Sequence, residues 1–274
     1  MTVLKRPALH ACNLMYLLLF MSFGQMPAVA SDLAKEKRWS EQIVDSLLVG
    51  DPVELKAGDT PFLGIFTAAS NGSNERAAII VHGVGVHPDW PEVIYPLRSE
   101  LPEHGWSTLS IQMPILANDA SMKEYLPLFD EIAPRMNAAV SYLREQGNKT
   151  IVVIAHSLGA SMAARFVADN PKAGVNGLIL ISMGVIEIDP KMNGALALEN
   201  IKLPVLDIYG SRDLENVLAT RSERGKAAAR KAHNTDYRQI SIEGGDHFFV
   251  GVEDDLVRRI YGWLKSHYEK PNGK

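Results

Sequence analysis

Three short, uninterrupted apolar runs, Ala77–Val81, Ile151–Ala155 and Leu178–Ile181, constrain this chain more than any other feature. A strand with one face in water alternates apolar and polar residues. A strand that is apolar throughout must be covered on both faces, as in a parallel sheet between helices. Ser107–Gln112, Val205–Tyr209 and Tyr237–Ile242 read as further strands. Between them lie helical segments: Lys123–Gln146, interrupted near Pro127 and Pro134, then Ser157–Asp169, Leu214–His233 and Asp254–His267. In the last of these Leu256, Ile260, Trp263 and Leu264 form one apolar stripe. Two earlier strands, Pro52–Lys56 and Phe62–Thr67, flank a turn at Gly58-Asp59. They follow an amphipathic helix marked by Trp39, Ile43 and Leu47. The alternation predicts an α/β fold, a mostly parallel central sheet with helices on both faces. Chemistry in such sheets gathers where strands end, here just after Val81, Ala155, Tyr209 and Ile242.

The second of those runs leads, one residue on, to a serine. Ile151–Ala155 runs through His156 into Ser157-Leu158-Gly159, a strand turning directly into a helix. A serine exposed at so tight a bend needs small residues two positions to either side, and these are Ala155 and Gly159. Ser157 fits equally as a plain N-cap of the helix. A nucleophilic serine also needs a base. Of the eight histidines, His247 has the best setting, in Gly244-Gly245-Asp246-His247 between the last strand and the last helix. His87, His104, His233 and His267 lack any supporting motif, and His82 and His156 read as packing or hydrogen-bonding residues. The base needs a carboxylate to orient it. Asp213 follows the strand Val205–Tyr209 and suits that role, or that of a helix cap; Asp207 and Asp246 are weaker choices. An oxyanion needs donors, and His82-Gly83-Val84-Gly85 supplies a loop that turns amides toward the serine. The backbone N–H groups of Val84 and Leu158 are the expected pair.

The order Ser157, Asp213, His247 behind a His-Gly loop resembles the α/β-hydrolase superfamily over roughly residues 50–270. Ala155, in place of the first glycine of Gly-x-Ser-x-Gly, is its main departure. The segments His82–Trp90, Gln112-Met113-Pro114 and Ala155–Gly159 are similar to a narrower family of exported bacterial α/β-hydrolase-like proteins, DUF3530. The broader resemblance implies a triad of Ser157, Asp213 and His247; the narrower one implies no substrate.

Lys5 and Arg6, the apolar stretch Leu14–Phe23 and the small-residue site Ala28-Val29-Ala30 have the order of a secretory signal peptide cleaved after Ala30. That implies a periplasmic or secreted protein, with residues 31–274 as one domain. The apolar stretch falls short of the ~20 residues of a membrane span. Left uncleaved, it would be the chain's one membrane attachment. Cys12, the only cysteine, leaves with the signal and takes thiol chemistry with it. The net charge of −4 gives no reason to expect nucleic acid as partner. The locally basic Arg221–Lys231 reads as a solvated helix face. No spacing suggests a metal or nucleotide cofactor. Met183–Lys202 is too short for a cap domain, so the site is expected to be fairly open, suited to small or medium acyl groups. The expected activity is hydrolysis of an ester or thioester through an acyl-serine. Amide or peptide hydrolysis by the same residues, and a non-catalytic binding or envelope-interaction role on the same scaffold, stand as alternatives.

Overall fold

A computed structural model describes residues 30–269. The signal segment and Cys12 lie outside the described residues. Helix α1 (Leu33–Ser46) leads into the hairpin β1 (Asp51–Ala57) and β2 (Thr60–Thr67). There follow β3 (Arg76–Val81), α2 (Ile94–Glu100), β4 (Ser107–Ile111), α3 (Ile132–Glu145), β5 (Thr150–His156) and α4 (Leu158–Asp169). The chain closes with β6 (Gly177–Ile181), α5 (Gly194–Leu198), β7 (Val205–Gly210), α6 (Glu215–Ala229), β8 (Tyr237–Ile242) and α7 (Glu253–Tyr268). The eight strands form one sheet in the order β1-β2-β4-β3-β5-β6-β7-β8. The β1–β2 and β2–β4 pairs are antiparallel and every other pair is parallel.

The two faces of β3 and β5 explain the apolar runs. Ile79 and Val153 pack under α3 and α4 on one side, with Met136, Leu143 and Phe166. Their neighbours Ile80 and Ile154 pack under α2 and α7 on the other, with Leu97, Ile260 and Leu264. The side-chain period of two therefore serves two cores at once. Each such Ile, Leu or Val contributes about 1.5–3 kcal/mol by its burial. A third, small cluster seats Ile43 of α1 on Leu63 and Ile65 of β2.

The register brings the strand ends level. Val81 pairs with Ala155, Ala155 with Leu180, and Gly210 with Ile242. The loops after β3, β5, β6, β7 and β8 thus open on one edge of the sheet.

The structure departs from the sequence reading in several places. The segment Lys123–Gln146 is interrupted between Pro127 and Pro134 as expected, but its first part is a 3-10 stretch, Met122–Asp130, started by a Ser121/Glu124 capping box, and only α3 is α-helical. Pro134 falls in the first turn of α3, where a missing N–H costs no intrahelical bond. Helix α6 ends at Ala229 rather than His233. Beyond it Asn234 turns away and donates its side-chain amide to the carbonyls of Ile201 and Leu203. The basic segment on α6 is not simply a solvated face, because Arg224 within it is fully buried against Asp207 of β7 at 2.7 Å. Tyr237 and Gln239 complete the shell around that carboxylate.

Candidate active site

Ser157 stands where β5 turns into α4, with φ 55° and ψ −124°. Non-glycine residues avoid this region, and such strain costs about 1–3 kcal/mol. The fold over-determines it. The Ser157 N–H donates to Ile181 O at 2.9 Å. Gly159 has no room for a side chain, since a Cβ there would run into the His82 carbonyl. Ala155, fully buried between β3 and β6, fills the other small-residue position. The Ser157 side chain makes no capping hydrogen bond to α4, so the plain N-cap reading does not describe it.

His247 arrives from the loop after β8. Its Nε2 lies 3.0 Å from Ser157 Oγ, and its Nδ1 lies 2.7 Å from Asp213 Oδ1. An ionised carboxylate only accepts, so the ring proton sits on Nδ1 and the Nε2 lone pair faces the serine hydroxyl. Asp213 is buried, and its oxygens also accept from Ser182 Oγ, the Gly210 N–H and the Leu214 N–H. Burial alone would push this carboxyl up. The hydrogen bonds from His247 and Ser182, with the positive potential of the imidazole and the Leu214 amide, outweigh it and hold Asp213 below the usual carboxylate range.

Ser182 was not singled out in the sequence. It directly follows β6, adopts φ 53° and takes its place through an N–H bond to Ile208 O at 2.8 Å. Its signal was positional, as the residue directly after the run Leu178–Ile181. His156 supports the site from behind. Its Nε2–H donates to the His247 carbonyl at 2.9 Å, tying β5 to the loop that carries the imidazole.

The Gly83-Val84 loop lies against the serine, where a Cβ on Gly83 would come within 3.1 Å of Ser157 Cβ. Leu158 is the first residue of α4, so its N–H has no acceptor within the helix. The Val84 N–H finds none among the described residues. A cleft of about 550 Å³ opens over Ser157 and His247. Its walls are largely apolar and include Val84, Met122, Val185, Ile186, Leu214 and Phe248, with Glu187 as its one charged carboxylate. The segment after β6 supplies Val185 to Ile188 as a wall, and its second half, around α5, is buried against the body of the domain. Among the described residues no group of three or more His, Cys, Asp or Glu side chains is arranged to hold a metal ion. Nor, among them, is any helix long and apolar enough to cross a membrane.

Two buried histidines make the fold sensitive to acid. Burial lowers His156 to about 4 and His82 to about 3, so both are neutral at pH 7. In the unfolded chain both return to about 6.5. Below that pH the unfolded state binds protons that the folded state refuses. Stability is therefore complete above pH ~6.5 and falls as the pH drops toward 4, by about 1.4 kcal/mol per pH unit for each ring. Urea midpoints are expected to be clearly lower at pH 5 than at pH 7.5. Equal midpoints would mean that the rings accept protons within the fold.

A family model described as a protein of unknown function, DUF3530, matches residues 25–128 and 127–266. The chain belongs to this family. No curated protein matches this DUF3530 member in sequence. Solved structures do match it in fold. Est1E from Butyrivibrio proteoclasticus, with ferulic acid bound, superposes with a TM-score of 0.65 at 15% identity, over 80% of this chain and 100% of that one. Dienelactone hydrolase from Anabaena variabilis gives 0.62 at 20% identity, over 79% and 96%. XC6422 from Xanthomonas campestris, described as an α/β serine hydrolase without lid, gives 0.62 at 16% identity, over 81% and 97%. The DUF3530 chain therefore has the α/β-hydrolase fold.

Proposed function

We propose that this protein hydrolyses carboxylic esters or thioesters through an acyl-serine intermediate. The observation that carries the reading is the line from Asp213 through His247 to Ser157, at 2.7 and 3.0 Å, behind a strained elbow. Ser157 Oγ attacks the carbonyl carbon while His247 Nε2 takes its proton. The carbonyl oxygen becomes an oxyanion and is held by the amides of Val84 and Leu158. Collapse breaks the bond to the leaving group, which departs as alcohol or thiol with the proton from His247. Water, deprotonated by His247, then attacks the acyl-serine and releases the acid. Asp213 keeps the imidazole proton on Nδ1 throughout and stabilises the imidazolium.

The hydrolases among the structural neighbours favour this class of reaction. The apolar cleft, with Glu187 on its wall, favours uncharged acyl groups of small to medium size. We also propose that the chain works in the periplasm or outside the cell, after cleavage behind Ala30. Ser31, the first residue after that point, bonds to Glu131 through both its N–H and its Oγ.

A fluorophosphonate probe tests the proposal. The purified protein is expected to label once, at Ser157 by peptide mass, and to turn over esters or thioesters in a panel that includes amides. Labelled protein in the periplasm or medium should begin at Ser31. A folded protein that neither labels nor cleaves any ester or thioester would sink the acyl-serine reading, and faster amide than ester cleavage would replace esters as substrate. Label elsewhere would displace Ser157.

A further inference from the structure

Leu158 N–H is aimed by the helix it begins, but Val84 N–H sits in a loop and needs another guide. That amide shares a peptide group with the Gly83 carbonyl, and in a trans peptide the two point in opposite directions. Whatever grips the Gly83 oxygen therefore aims the Val84 N–H. His82 Nδ1 lies 2.8 Å from that oxygen. The tautomer follows from the other side of the ring. His82 Nε2 is 2.9 Å from the Met113 N–H and 3.0 Å from Gln112 Nε2, and both are donors. The Gln112 amide is oriented in turn by its bond to Met113 O at 2.7 Å. Nε2 thus holds a lone pair and Nδ1 the proton, so the ring donates to Gly83 O. His82 is 1% exposed, and nothing in the acyl-transfer steps uses it.

The segment that holds the ring is itself clamped. Arg135 of α3 donates to Gln112 O at 3.0 Å and pairs with Glu36 of α1 at 2.8 Å. Glu36 in turn accepts from the Ile115 N–H at 3.4 Å. Both groups of the ion pair are buried, where a pair of this kind holds its geometry against solvent competition.

We infer that His82 is a positioning residue for the oxyanion donor Val84, anchored through Met113 and Gln112 to the Arg135–Glu36 pair. The inference rests on the acyl-serine reading, and the experiment separates the two. His82→Leu removes the donor to Gly83, whereas His82→Asn places an amide N–H near the position of Nδ1. The measurement is kcat and KM on the best ester of the panel, per site titrated with fluorophosphonate, across pH 6 to 9. A lost oxyanion donor costs about 10²–10³ in kcat, so a donor left unaimed is expected to cost roughly tenfold to a hundredfold, with KM little changed. His82→Asn should recover most of the loss, and the midpoints of the pH profile should not move. Should His82→Leu fail to fold, Gln112→Met, which loosens the ring from its far side, should lower kcat in the same sense by a smaller factor.

A merely structural role predicts fewer titratable sites at unchanged kcat per site, and that result overturns the inference. So does His82→Asn falling as far as His82→Leu. Absence of ester turnover in the wild type would instead fail the acyl-serine reading, and the inference with it.

Discussion

Ser157→Ala is expected to lose about 10⁶-fold in kcat on any ester the wild type cleaves, close to 8 kcal/mol of barrier. His247 and Asp213 would remain in place with no hydroxyl to activate. What survives should be the modest effect of the amides and the cleft on attack by water. Stability should hardly change, because the Ser157 side chain makes no cap bond to α4, whereas loss of a true N-cap costs about 1 kcal/mol. Ser157→Gly sharpens the point. Alanine keeps the strain of φ 55°, while glycine adopts that angle freely. The glycine variant should therefore be as inactive as the alanine one yet melt at a higher temperature. Turnover by Ser157→Ala within tenfold of the wild type would move the nucleophile elsewhere, with Ser161 and Ser182 as the other hydroxyls lining the cleft.

That Ser157, Asp213 and His247 come together was legible because two rules of different origin converge on them. Burial on both faces marks β3, β5 and β6 as apolar runs, and the ends of parallel strands are where side chains meet. Ser157, Asp213 and His247 each follow such an end, so their meeting required no long-range knowledge beyond the order of the strands. Helix α2 was not legible. It has seven residues with Pro96 inside, too few turns for an apolar stripe to show. Helix α5 has five and is small and apolar throughout. Arg224 was misread for another reason. Its partner Asp207 lies on β7, and nothing in the mixed charges around Arg224 reports that contact. The supports of the site, Ser182, His82 and Arg135, were missed or undervalued in the same way. His82 and Arg135 act through backbone carbonyls, which leave no mark on the residues they hold, and Ser182 meets Asp213 across 31 positions of the chain.

Asp213→Asn is expected to lower kcat by roughly 10⁴-fold while leaving the protein folded. Four donors converge on the two oxygens of Asp213: His247 Nδ1, the Leu214 N–H, Ser182 Oγ and the Gly210 N–H. An asparagine must turn its NH₂ toward one pair of them. Facing His247 it donates, which forces the ring proton onto Nε2 and leaves no lone pair for the serine proton. Facing Ser182 it collides with the Gly210 N–H, and its single carbonyl must then serve both His247 and Leu214 without the charge that stabilises an imidazolium. Either way the effect falls on kcat rather than KM. Asp207→Asn provides the contrast, since the two carboxylates are both buried and only six residues apart in sequence. Asp207 faces Arg224, Tyr237 and Gln239 instead of the cleft. Weakening that buried pair should lower the melting temperature, with kcat per folded molecule unchanged. The same substitution thus separates a carboxylate that orients a base from one that holds a helix to the sheet. A loss of kcat at Asp207 equal to that at Asp213 would show that the orienting carboxylate has been assigned to the wrong residue.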